Sequence, residues 1–307
     1  MEEYVLRTIN LCKYYRKNNI VDNVCMNIKK GEIYGFIGEN GAGKTSLIRL
    51  ITGLAKITKG NIILFGEDTE KGINEARKRI GCLIETPALY EDMTAYQNLD
   101  IIRTQKGIPG EDCINRVLNT VNLKDVEDKK VKNFSLGMKQ KLGIAKALIG
   151  DPEFLILDEP TNGLDPVAII ETRELLKKLN KEKNMTILIS SHILKELNEL
   201  ATTYGVIKNG RLIEEFTSRE LDERCRLSLD IKVDDINGCI VVLEDKLKTK
   251  NFKVIEEQYI KLYDYVNEPG KVSTILAKNQ IVIEQIVSSG ENLEDYFMNL
   301  IGGKANV

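Results

Sequence analysis

The chain has 307 residues, with 44 basic and 46 acidic side chains and a formal net charge of -2. That length holds one domain of about 200 residues and a smaller one, and so even a charge balance argues against a protein that works mainly by attraction to a phosphate backbone. The six cysteines, Cys12, Cys25, Cys82, Cys113, Cys225 and Cys239, are neither paired nor clustered in spacing and have one histidine to help them, which disfavours a zinc site and fits reduced thiols in a cytosolic protein.

Met1-Glu2-Glu3-Tyr4 has neither the basic start nor the apolar run of a signal peptide. No stretch approaches the ~20 apolar residues that span a bilayer. Residues 4–9 and 28–37 read as strands, with a turn predicted at Asn18-Asn19. The run Glu32-Ile33-Tyr34-Gly35-Phe36-Ile37 reads as a buried strand. It enters Gly38-Glu39-Asn40-Gly41-Ala42-Gly43-Lys44-Thr45, a complete GxxxxGK(S/T) phosphate loop. Its glycines let the backbone turn sharply and point consecutive N–H groups at one anion. Lys44 would neutralise the β- and γ-phosphates, and the Thr45 hydroxyl would ligate Mg²⁺. Thr45, Ser46 and the apolar residues after them read as a helix whose positive N-terminal end faces the nucleotide. The segment implies a nucleoside triphosphate site.

Residues 60–66 form a further strand bounded by glycines, and residues 80–84 a core strand that ends at Glu85. From about 88 to 150 helical spacing dominates, with Val117, Leu118 and Val121, then Leu142, Ala145 and Leu148, on apolar faces. This region is predicted to be a helical subdomain inserted into an α/β core. Phe154-Leu155-Ile156-Leu157 then has no period, as a central strand covered on both faces should. It ends in Asp158-Glu159, two adjacent carboxylates that a purely structural strand would not tolerate at a buried end. Asp158 can hold Mg²⁺ through water. Glu159 points differently, because side chains alternate along an extended chain, and could polarise a water against the γ-phosphate. Pro160-Thr161-Asn162-Gly163-Leu164-Asp165-Pro166 turns the chain away from the sheet. A helix over 167–180, a strand over 185–190, a helix over 195–201 and a hairpin over 206–213 with Asn209-Gly210 at its turn follow. Residues 218–224 read as a linker or short helix. Beyond them, 227–233, 240–247, 254–265 and 281–287 continue a small α+β pattern with no constellation that suggests chemistry. The predicted division is 1–216 and 217–307.

Tyr15, the phosphate loop, Phe134-Ser135-Leu136-Gly137-Met138, residues 154–160, Gly163-Leu164-Asp165 and Ser191-His192 occur in a characteristic order. In that order they resemble the motifs of ATP-binding cassette (ABC) ATPases, over roughly the first two thirds of the chain. More narrowly, the chain resembles the cassette subunits of lantibiotic- and bacitracin-type peptide exporters. The narrower likeness rests on Phe134-Ser135-Leu136-Gly137-Met138, a variant of the family's signature segment, on Glu85, and on the run Tyr90-Glu91-Asp92-Met93-Thr94-Ala95-Tyr96-Gln97-Asn98-Leu99.

The resemblance implies an α/β P-loop core with an antiparallel β subdomain, an inserted helical subdomain and a small C-terminal α+β domain. It implies ATP and Mg²⁺ as ligands, hydrolysis with Glu159 activating water, and His192 near the γ-phosphate. Ser135 is a good N-cap for a helix over 136–149, and Ser135, Leu136, Gly137 and Met138 would meet the ATP of a second copy. Leu136 and Met138 depart from the family's usual Gly and Gln. Glu85 stands where the family usually has glutamine and would bring a full negative charge to Mg²⁺. Tyr15 could stack on adenine, with Tyr14 its competitor, since adjacent strand residues face opposite ways. Asp165 is expected to bridge two cassettes. The implied assembly is a homodimer of cassettes with an integral-membrane permease, peripheral at the cytoplasmic face of the membrane. No nucleic-acid partner is expected. Cassette ATPases that act on DNA or ribosomes typically carry a long coiled-coil insertion or two cassettes, and this chain has neither. A P-loop kinase leaves Ser135, the Glu159 to Asp165 run and His192 without a role.

Overall fold

A computed structural model describes residues 3–15, 18–126, 128–256, 258–290 and 293–302. The chain divides into two compact units at Ser218/Arg219. In the first, the long strand Tyr4–Tyr15 pairs antiparallel with Asn18–Val24, Asn27–Lys29 and Lys59–Leu64. The turn expected at Asn18-Asn19 is absent: Asn18 already pairs with Tyr15 and Asn19 with Tyr14. Two consecutive tyrosines, good strand formers, carry the ladder further than the asparagines break it. The other sheet of this unit has six strands in the order Arg211–Thr217, Thr203–Lys208, Ile33–Ile37, Thr186–Ser191, Phe154–Asp158, Ile80–Leu83. All neighbours are parallel except the first pair. That pair is the hairpin at Asn209-Gly210, both with positive φ (49° and 79°), as a type I′ turn requires.

Three central strands, Ile33–Ile37, Phe154–Asp158 and Thr186–Ser191, bury every residue. Their apolar runs lack alternation because both faces of the sheet are covered. Tyr34, Phe36, Phe154, Ile156 and Leu188 join Leu47, Ile48, Leu50 and Ile51 of the helix Lys44–Ile51 in one core. Tyr34 is buried at the edge of this core and its hydroxyl donates to Glu215 Oε1 at 2.6 Å. Burial first, and then the Glu215 carboxylate, hold its phenol well above the ordinary tyrosine value.

The inserted helical region contains Ala95–Gln105, Asp112–Thr120 and Leu136–Leu148. Thr94 and Gln97 form a capping box at the first helix. Asn98, buried in that helix, accepts from Tyr90 N–H and donates to the Tyr90 and Thr94 carbonyls, which fixes the loop before it. Gly143 faces Pro87 so closely that a Cβ there would lie 2.6 Å from the proline ring. The segment after Glu85 is thereby seated on the helix Leu136–Leu148. Parallel strands whose carboxyl ends meet at one edge, with helices beginning there, are the usual seat of a phosphate ligand.

Between the helices Ser218–Cys225 and Leu293–Gly302, the second unit follows βαββαβ order: Ser228–Val233, Ile236–Asp245, Phe252–Glu256, Tyr259–Leu262, Pro269–Lys278, Ile283–Ser289. Its sheet runs Phe252–Glu256, Tyr259–Leu262, Ser228–Val233, Ile283–Ser289, with every pair antiparallel. This is the split βαβ arrangement. Leu229, Ile231, Val233, Ile260 and Leu262 pack against Cys239, Leu243, Val272 and Leu276 of the two helices.

Candidate active site

The loop 38–43 leaves the strand Ile33–Ile37 and hands the chain to the helix Lys44–Ile51. Gly43 sits at φ 111°, and a Cβ there would meet the Ile20 carbonyl oxygen at 2.7 Å, so only glycine fits. Glu39, Asn40 and Gly41 are exposed along the loop, while Gly38, Ala42 and Gly43 are buried and Ser46 is half-buried. Lys44 is 4% exposed. Its Nζ donates to the carbonyls of Gly38 (2.6 Å) and Glu39 (3.1 Å), which aims the ammonium back into the loop it closes.

The strand Phe154–Asp158 lies one strand away, across Thr186–Ser191, and its end completes the site. Thr45 Oγ1 donates to Asp158 Oδ2 at 2.7 Å. Ser190, paired with Asp158 in the ladder, donates from Oγ to Asp158 Oδ1 at 2.6 Å. Glu159 then leaves the sheet with φ 47°, and its N–H donates to the same Ser190 hydroxyl at 2.9 Å. That turn sends the Glu159 carboxylate toward two partners: Oε1 is 3.1 Å from Lys44 Nζ and Oε2 is 3.1 Å from His192 Nδ1. Five sequence-predicted residues, Lys44, Thr45, Asp158, Glu159 and His192, thus belong to one polar chain, joined through Ser190. A hydroxyl and a carboxylate within hydrogen-bond distance are the hard oxygen donors that Mg²⁺ prefers, so the residues fit such an ion.

Other candidates occupy their own places. Glu85 has φ 57° and an ion pair, Oε1 to Arg49 Nη2 at 2.7 Å, which ties it to the helix of Lys44. Ser135 caps the helix Leu136–Leu148 by accepting from Met138 N–H at 3.3 Å. Leu136 is exposed, and a Cβ on Gly163 would lie 3.4 Å from its Cδ2. A Cβ on Gly137 would lie 3.1 Å from Ala168. The signature segment therefore rests on the loop and helix that follow Glu159 in the same chain. Asp165 caps the helix Pro166–Lys183 by accepting from Ala168 N–H at 2.9 Å. Tyr15 is exposed, with Lys13 Nζ 4.7 Å above its ring, while Tyr14 is half-buried near Lys59.

Sequence reasoning missed Ser190, Arg49 and Glu196. Glu196 Oε2 accepts from Thr161 Oγ1 (2.7 Å) and Ser191 Oγ (3.0 Å), joining the turn after Glu159 to the segment that carries His192. The available signal was a pair of serines closing an otherwise apolar strand, buried polar groups that need partners.

A profile of the ABC transporter family matches residues 21–162. The bacitracin transport ATP-binding protein BcrA of Bacillus licheniformis is 44% identical over 97% of this chain and 98% of its own. This chain belongs to the ATP-binding subunits of ABC transporters. The lantibiotic transport ATP-binding protein SrtF of Streptococcus pyogenes is 47% identical over 69% of this chain and 90% of its own. Among solved structures, cbiO1 from Clostridium perfringens, part of the ABC transporter complex cbiONQ, matches with a TM-score of 0.66. It is 31% identical over 72% of this chain and 92% of its own. The cassette has the α/β P-loop fold of this family, binds nucleotide and is an ATPase coupled to transport. Among the described residues no helix is long and apolar enough to cross a membrane, and ABC ATP-binding subunits pair with membrane permeases.

Proposed function

We propose that two copies of this cassette, peripheral at the inner face of the cell membrane, power a separate permease that exports a peptide antibiotic or protects the cell against one. The observation that carries the catalytic part of this reading is the connected set Thr45–Asp158 and Lys44–Glu159–His192. The substrate class rests on the similarity to the bacitracin protein, which extends through the C-terminal unit.

The chemistry follows from the residue types. Tyr15 offers its exposed ring to adenine. The loop 38–43 and Lys44 balance the charge of the β- and γ-phosphates, and Ser46 extends that cradle along the first turn. Thr45 and Asp158 would hold Mg²⁺, which would supply positive charge to the phosphate oxygens, and Glu85, ion-paired with Arg49, would contribute its carboxylate on that side. A triphosphate competes with Glu159 for the Lys44 ammonium. The released carboxylate takes a proton from the attacking water, while His192 stays beside it near the γ-phosphate. Ser135, Leu136, Gly137 and Met138 of the second copy close over that phosphate, with Asp165 between the copies.

Glu159→Gln removes the base and keeps the shape. The expected result is a loss of hydrolysis of about 10²–10⁴-fold with ATP binding retained. Hydrolysis within threefold of the unmodified protein excludes Glu159 as the base. Purification of the full chain from its own cells tests the partner. A polytopic membrane protein in the complex supports the exporter, and bound rRNA or DNA overturns it.

A further inference from the structure

One buried hydroxyl touches both halves of the acidic pair at the strand end. Ser190 is wholly buried, and its side chain has a single proton to give. The proton goes to Asp158 Oδ1 at 2.6 Å, so the oxygen's lone pairs are what receive the Glu159 N–H at 2.9 Å. Asp158 is held from both sides, because its other oxygen is taken by Thr45 at 2.7 Å. Glu159 is a non-glycine residue at φ 47°, a backbone state that L-residues avoid unless something stabilises it. The Ser190 hydroxyl supplies that stabilisation at the peptide N–H where the chain departs from its neighbouring strand. With the N–H anchored there, the Glu159 carboxylate reaches Lys44 and His192.

We propose that Ser190 is a positioning residue for ATP hydrolysis: through one hydroxyl it orients the Asp158 carboxylate toward the metal-binding side of Thr45 and locks Glu159 in the left-handed turn that aims its carboxylate. The inference rests on the assignment of Asp158 and Glu159 above. Ser190 itself touches no reacting atom, and a serine that served only to fill the sheet would affect stability alone.

Three variants of the full chain test this: Ser190→Ala, which removes the hydroxyl; Ser190→Thr, which restores it; and Ser190→Cys, which keeps the size with a weak donor. For Ser190→Ala the expected kcat loss is roughly ten- to hundredfold, the size of one hydrogen bond to a charged group. KM for ATP should stay within about threefold, because the phosphate loop is unchanged. A second readout needs no turnover. In the Glu159→Gln background with ATP present, Mn²⁺ binding followed by electron paramagnetic resonance should weaken by roughly tenfold on adding Ser190→Ala. Ser190→Thr should recover both properties. If Ser190→Ala does not fold, Ser190→Cys carries the same two measurements. A folded Ser190→Ala or Ser190→Cys protein with kcat and Mn²⁺ affinity both within threefold of the parent overturns the proposal, even if its melting temperature falls. Full activity in Glu159→Gln alone overturns the parent reading instead, so the two failures are distinguishable.

Discussion

In the cassette unit Lys44, Asp158 and Ser190 are 4%, 2% and 0% exposed and lie within one hydrogen-bonded network at the ends of three strands. In the C-terminal unit the ion pairs Lys232–Glu284 and Lys261–Asp230 connect neighbouring strands with side chains 29–42% exposed. Both sheets are built from short strands crossed by helices, so the contrast is not one of architecture. Burying a charge is costly unless it is paired and hydrogen-bonded. The cassette unit accepts that cost at one edge of one sheet, where a triphosphate and a divalent ion would share the network. Exposed pairs are worth about 0–1 kcal/mol each, and those of the C-terminal sheet need no ligand to account for them. Charge concentrated in the interior marks the chemistry; charge spread over an open face marks the scaffold.

The strongest way to break this contrast is Lys44→Ala. It removes the loop's own cation, and tight ATP binding should disappear while circular dichroism shows the fold retained. Normal ATP affinity by calorimetry in that protein would mean that the buried network does not hold phosphate.

A substitution in the other core sharpens the comparison. Ile231 is fully buried in the C-terminal sheet, and Ile231→Ala should cost about 2–5 kcal/mol of that unit's stability. ATP affinity of the folded protein should not move. A change beyond threefold would show that the C-terminal unit takes part in the site after all.

The smallest effect concerns a buried polar group of the cassette that the chemistry does not use. The Tyr34 phenol is held above its ordinary value by burial and by Glu215. A raised value in the folded state means that its stabilisation is complete below about pH 10, where an unfolded tyrosine begins to ionise. It is lost as pH rises through the folded value. Thermal melts of the unmodified protein should therefore decline more steeply above pH 10 than those of Tyr34→Phe. Parallel curves would show that the hydroxyl carries no such linkage.

Local chemistry made much of this legible. The phosphate loop, the apolar run before Asp158, the Ser135 cap and the Asn209-Gly210 turn each depend on contiguous residues, whose backbone demands or periodicity can be read without knowing the fold. The helices found at Ala95–Gln105, Asp112–Thr120 and Leu136–Leu148 lie in the region where helical spacing predicted them. Where the reading strayed, at Asn18-Asn19, a residue-type rule for turns met a strand already committed to pairing by Tyr14 and Tyr15.

What the sequence by itself determined is the inventory: which residues could bind phosphate and metal, and the order in which they appear. The tertiary structure decided which of them meet. Ser190 lies 32 positions from Asp158 and 31 from Glu159. It contacts both only because the strand Thr186–Ser191 inserts between Ile33–Ile37 and Phe154–Asp158. Glu85 finds Arg49 across 36 residues, and Leu136 lies beside Gly163 for the same kind of reason. Sheet order is set by how crossover helices pack and by the handedness of their connections. Those are properties of the folded whole, and no local period along the chain encodes them.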